Sequence, residues 1–183
     1  IPAFYTRIPG AHFRERAEGS ALGLFTAKLI SETRPSDEAL GMLAEMNRIL
    51  PNRYYIQFYR GQCLLSLERN EEALNAFQRA LDLEPPDQDR ASIYVYQAVA
   101  LKEGGFYRRA IEALDEGEHC DAERTELYNL KGFCHFKLQE HEKAIACFRK
   151  VIALDPGSAI DYANIASNYR DLGNREEAVR YYE

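Results

Sequence analysis

The feature that most constrains this chain is a repeat. The segments NEEALNAFQRALDLEP, HEKAIACFRKVIALDP and NREEAVRYYE read alike, and the alanines Ala73, Ala110, Ala144 and Ala178 hold one register with separations of 37, 34 and 34 residues. Ala39, in SDEALGMLAEMNRILP, stands 34 residues before Ala73 and marks a weaker copy. The register divides the chain into units 20–53, 54–87, 91–124, 125–158 and 159–183, with Gln88 to Arg90 inserted and the fifth unit incomplete. A period of this length is the mark of one supersecondary unit stacked on its neighbours.

Each unit reads as two helices. In unit four, Ala144, Cys147, Phe148, Val151 and Ile152 form an i, i+3, i+4, i+7, i+8 stripe, and unit two repeats it at Ala73, Ala76, Phe77, Ala80 and Leu81. No strand alternation occurs. Glu103-Gly104-Gly105 and Leu172-Gly173-Asn174 predict turns inside units three and five, and Pro51, Pro85 and Pro156 close units one, two and four. Ala27, Gly61, Ala98, Gly132 and Ala166 take one place in every first helix. Small side chains there and at the anchor alanines let paired helices approach closely, while Phe77, Phe148 and Tyr182 are expected to fill gaps between units.

With Gly or Ala at the eighth place, Ala at the twentieth, Phe or Tyr at the twenty-fourth and Pro at the thirty-second, residues 20–183 resemble the tetratricopeptide-repeat (TPR) family. Unit one departs at Gly23 and Leu43; unit three departs at Leu114 and Gly117 and lacks the closing proline. A glycine inside a helix costs about 1 kcal/mol relative to alanine. The helix carrying Gly117 is therefore expected either to end early or to be approached closely by a neighbour. The resemblance implies an all-α fold, an α-solenoid of helix-turn-helix units wound as a right-handed superhelix. It also implies a concave groove, lined by the first helices, that binds a protein or peptide partner.

By resemblance the groove takes the second, fifth, ninth and twelfth places of each unit. These are Tyr55, Phe58, Gln62 and Leu65 in unit two, then Ser92, Val95, Val99 and Lys102 in unit three. Unit four supplies Glu126, Asn129, Phe133 and Phe136, and unit five Ile160, Ala163, Ser167 and Arg170. The middle is apolar and aromatic, which points to a hydrophobic or amphipathic segment, helical or extended. The competing reading is that these side chains pack on one another or on the chain's own N-terminus. Chaperone-tail adaptors of the family use a clamp of Lys, Asn and Arg, but the matching places hold residues such as Phe58, Tyr96 and Phe133. The asparagine ladder of the Ser/Thr sugar transferase is matched at its sixth place by Asn164 alone; the others are Phe25, Tyr59, Tyr96 and Leu130.

The net charge of −6 argues against a duplex nucleic-acid binder and against docking on anionic lipid. No apolar run approaches the roughly 18 residues that span a bilayer. Cys63, Cys120, Cys134 and Cys147 form no C-x-x-C pair, and Cys63, Cys134 and Cys147, inside apolar helical runs, read as small buried thiols in a reducing, cytoplasmic compartment. His12, His119, His135 and His141 are scattered and compose neither a metal site nor a catalytic set. No phosphate loop or nucleophile motif is present. The expectation is a scaffold without cofactor, metal or enzymatic activity; the alternative is a regulatory or substrate-recruiting part of a longer enzyme. Residues 1–19, with Pro2, Pro9 and Gly10, read as an extended segment or linker, and the first residue is Ile1 rather than Met, as in a mature product or fragment. Val179 and Tyr182 have no following repeat, which favours weak end-to-end pairing between copies.

Overall fold

The computed structural model describes residues 23–29 and 36–182; the expected extended segment 1–19 lies outside the described residues. The described residues form ten helices and no strand. They are α1 (23–29), α2 (Asp37–Ile49), α3 (Tyr54–Ser66), α4 (Asn70–Leu81) and α5 (Asp87–Glu103). After these come α6 (Tyr107–Cys120), α7 (Thr125–Lys137), α8 (His141–Leu154), α9 (Ala159–Asp171) and α10 (Arg175–Tyr182). This is the all-α solenoid class of helix-turn-helix repeats.

One turn recurs in four hairpins. The amides of Arg69, Phe106, Glu140 and Asn174 donate to the carbonyls of Leu64, Leu101, His135 and Tyr169, each at 2.9 Å. The residue just before each donor is left-handed: Glu68 (φ 60), Gly105 (φ 77), Gln139 (φ 60) and Gly173 (φ 78). This 6→1 closure satisfies carbonyls that the helix end would otherwise leave without partners. Gly105 and Gly173 adopt the conformation without steric penalty, whereas Glu68 and Gln139 each bear about 1 kcal/mol for it.

The described residues divide into two compact units, one ending at Pro85 and the other beginning at Pro86. In the first, Ala27, Ala39, Leu43, Met46, Leu50, Tyr55, Ile56 and Cys63 form a buried cluster, and α3 packs on α4. Ser36 caps α2, its hydroxyl accepting from the Ala39 amide at 3.1 Å. A Cβ at Gly61 would stand 2.4 Å from the Phe77 ring.

In the second unit α5 packs on α6, α7 on α8 and α9 on α10, while α6–α7, α8–α9 and α5–α7 contacts join the hairpins. Gly132 repeats the arrangement of Gly61: its Cβ would meet the Phe148 ring at 2.6 Å. The rings of Phe77 and Phe148 thus press on the small residue of their own hairpin's first helix. Tyr182 is 57% exposed, so it fills no gap among the described residues. Helix α6 runs through Gly117 without ending early. The close approach is what occurs, because a Cβ at 117 would lie 2.8 Å from Leu127 and 3.3 Å from the Cβ of Tyr94.

Candidate functional site

In the second unit, α5, α7 and α9 frame an open groove of about 490 Å³. The sequence of α7 places Asn129, Phe133 and Phe136 on one stripe at i, i+4 and i+7. Leu130, Phe136 and Phe148 give the groove its apolar surface, Lys102 comes from α5, and Asn164, Ser167 and Asn168 come from α9. Phe133 is 37% exposed. The Lys102 and Lys137 ammoniums lie 5.4 and 5.3 Å from its ring centroid, and Tyr107 meets it edge-on at 6.4 Å. Both lysines are close enough for a cation–π interaction.

The polar groups differ in how fully they are used. Asn168 is 2% exposed; its amide donates to the Asn164 carbonyl at 2.8 Å, and its Oδ1 lies 3.0 Å from His141 Nδ1. His141 in turn stands edge-on to Phe136 at 5.9 Å, which holds that ring in place. Asn164 donates to Asp161 at 3.3 Å. The side-chain amide of Asn129, by contrast, makes no hydrogen bond among the described residues. Lys102 pairs with its neighbour Glu103 at 2.8 Å, while Lys137 has no carboxylate partner among the described residues.

Lys102, Asn129, Phe133 and Phe136, all expected from the sequence, are therefore brought together with Ser167. Val95 and Val99 lie half-buried on α5. Arg170 stands at the exposed end of α9, held by Asp171 at 2.9 Å and Ser167 at 3.1 Å. Phe58, Gln62 and Leu65 are half-buried in the other compact unit, with Phe58 against Tyr59 and Phe77 at 5.2 and 6.2 Å. The expectation for Tyr55 is corrected. It is 5% exposed inside the first unit's core, its hydroxyl so near Gly23 that a Cβ there would be 2.7 Å away. Leu130, Phe148 and Asn168 line the groove although periodicity did not assign them to it. For Leu130 the signal is its place one residue beyond Asn129; for Phe148 the repeat predicts only a packing role.

The other side of α7 is a closed polar cluster. Lys131, 6% exposed, pairs with Asp115 at 2.6 Å and with Glu118. Glu118 also accepts from Lys150 at 2.8 Å and from the Tyr128 hydroxyl at 3.0 Å. Burial pushes the Glu118 carboxyl up, but hydrogen bonds from Lys131, Lys150 and Tyr128 override it and hold its pKa at about 2. Burial likewise works against the charge on Lys131, yet hydrogen bonds to Asp115 and Glu118 keep its pKa above the usual lysine range. Burial pushes the Cys134 and Cys147 thiols up to about 11, away from the thiolate form that reacts. His135 is held by Glu140 at 2.7 Å. Among the described residues no group of three or more His, Cys, Asp or Glu side chains is placed to hold a metal, and no helix is long and apolar enough to cross a membrane.

Residues 54–87, 125–158 and 162–183 each match the family described as tetratricopeptide repeat. The chain is 31% identical over 140 residues to DnaJ homolog subfamily C member 7 of Mus musculus, covering 69% of this chain and 28% of that protein. It is 31% identical over 132 residues to human RNA polymerase II-associated protein 3, covering 63% and 19%. Over 82 residues it is 29% identical to the probable UDP-N-acetylglucosamine–peptide N-acetylglucosaminyltransferase SEC of Arabidopsis thaliana, covering 45% and 8%. The chain thus spans less than a third of the length of these relatives. Among solved structures, MamA superposes with a TM-score of 0.74 at 23% identity, covering 80% of this chain and 84% of that one. YrrB, described as a TPR protein with an unusual peptide-binding site, superposes with a TM-score of 0.76 at 20% identity, covering 98% and 88%. At these identities the likeness is one of fold. Helical hairpins closed by one shared turn, and three segments that match the same repeat, make this chain a member of the tetratricopeptide-repeat family.

Proposed function

We propose that the chain is a protein-interaction scaffold, and that the groove over α5, α7 and α9 binds a segment of another protein. The observation that carries this reading is the open groove itself. Three successive first helices converge on it, and it combines an apolar surface with an exposed aromatic ring, Phe133, and the unused amide of Asn129. An apolar surface with a few convergent polar groups is the usual composition of a recognition site. The description of YrrB as carrying a peptide-binding site supports the same direction.

The test is selection from a display library of random linear peptides on the folded chain, followed by binding to Phe133→Ser. Enriched peptides should lose at least about tenfold in affinity when this central aromatic anchor is removed. Enriched peptides that bind the variant as well as the wild type would place recognition elsewhere.

A second reading is supported by one relative, whose name is that of a peptide N-acetylglucosaminyltransferase. On that reading the array is a regulatory or substrate-recruiting region of a longer enzyme. A full-length reading frame encoding a catalytic domain beside this array would favour it; a frame encoding none would remove it.

A further inference from the structure

The groove is charged opposite to the chain. The sequence carries a formal net charge of −6, yet among the described residues no acidic side chain lines the groove. Two ammoniums, those of Lys102 and Lys137, stand within 5.4 Å of the Phe133 centroid. Like charges held against one ring repel each other. Lys102 is partly offset by Glu103, but that carboxylate is exposed, and an ion pair open to solvent on one side contributes little. Lys137 has no carboxylate partner among the described residues. A carboxylate brought to the edge of Phe133 would be attracted by both lysines and by the positive rim of the ring.

Resting on the reading given under Proposed function, we propose that the occupant is a protein segment carrying an Asp or Glu side chain beside bulky apolar ones. The carboxylate is seated at Phe133 within reach of Lys102 and Lys137. The apolar side chains cover Leu130, Phe136 and Phe148, and the Asn129 amide hydrogen-bonds the backbone of the segment. The source of the carboxylate is a side chain rather than a chain terminus, because the places that the family resemblance assigns to a terminal-carboxylate clamp hold Phe58, Tyr96 and Phe133 here.

The probe is a library of random linear peptides displayed as internal insertions, so that no free C-terminus is presented. The most enriched sequence is then synthesised with both ends blocked and with a free terminal acid. Each form is titrated against the wild-type chain, Lys137→Gln and Phe133→Ser, with circular dichroism checking that the variants are folded. The expected result is enrichment of Asp or Glu next to Leu, Ile or Phe, affinity that falls with salt, and a loss of about fivefold in Lys137→Gln. Peptides that need Phe133 but show no acidic enrichment and bind Lys137→Gln unchanged would overturn this inference while leaving the groove's function standing. Binding by the free-acid form alone would overturn the side-chain source. No enrichment at all, or indifference to Phe133→Ser, would overturn both readings.

Discussion

The two sides of α7 treat lysine in opposite ways. On one side Lys131 is buried and ringed by Asp115 and Glu118, with Tyr128 and Lys150 completing the cluster. On the other, Lys137 lies beside an exposed ring with no carboxylate partner among the described residues. A charge that is desolvated must be paired inside the molecule, so the Lys131 side is complete and serves packing between α6, α7 and α8. A charge left beside an apolar, aromatic surface with polar groups unused is incomplete, and that incompleteness is what a partner can satisfy.

The contrast should break most severely at Gly132, which fixes α7 against α8. Gly132→Val sets a side chain into the Phe148 ring, itself 4% exposed, and should destabilise the fold by about 3 kcal/mol, read as a lowered urea midpoint. Next comes the closed side. Glu118→Gln removes a charge that holds the buried Lys131 and should lower stability by about 2 kcal/mol at neutral pH. The sign of its pH dependence follows from a depressed carboxyl. The contribution of Glu118 is complete above the ordinary carboxylate range and is lost as the pH falls from there through about 2. Acid titration of stability should therefore be shallower over that window in Glu118→Gln than in the wild type.

Smaller effects lie at the turn and in the groove. Gln139→Gly relieves a left-handed residue and should raise stability by about 1 kcal/mol, seen as a higher Tm, with Glu68→Gly behaving alike. Lys137→Gln should change stability by less than about 0.5 kcal/mol, because the side it removes is not part of the packing. A loss comparable to that of Glu118→Gln would erase the distinction between the two sides.

Much of this architecture was legible in the sequence because repeats restate it. Gly61 and Gly132 stand at the same place, and Phe77 and Phe148 follow each at the same distance, so the packing of ring on glycine is written twice. The turns were legible at Gly105 and Gly173, where glycine advertises a positive φ. They were silent at Glu68 and Gln139, where the closing hydrogen bond imposes the same conformation on ordinary residues. At Gly117 the sequence left two outcomes open, and the contact with Leu127 decides between them.

The groove was half legible. Repeat position identified Asn129, Phe133, Phe136 and Lys102, because a stripe on a helix depends only on spacing. It misplaced Tyr55, because position within a repeat says nothing of the glycine at residue 23 that lets its ring sink into the core. Lys131 carried no signal either. Its burial depends on Asp115 and Glu118 from the preceding hairpin, and a lysine in a first helix reads as solvated until those partners are in place.

A ¹⁵N–¹H NMR titration of the chain with a library-selected peptide tells the open side of α7 from its closed side directly. Amide shifts should concentrate around Lys102, Asn129, Phe133, Phe136 and Ser167, with the amides of Asp115, Glu118 and Lys150 left in place. Shifts centred on the Asp115, Glu118 and Lys150 cluster, with the groove residues unmoved, would contradict it.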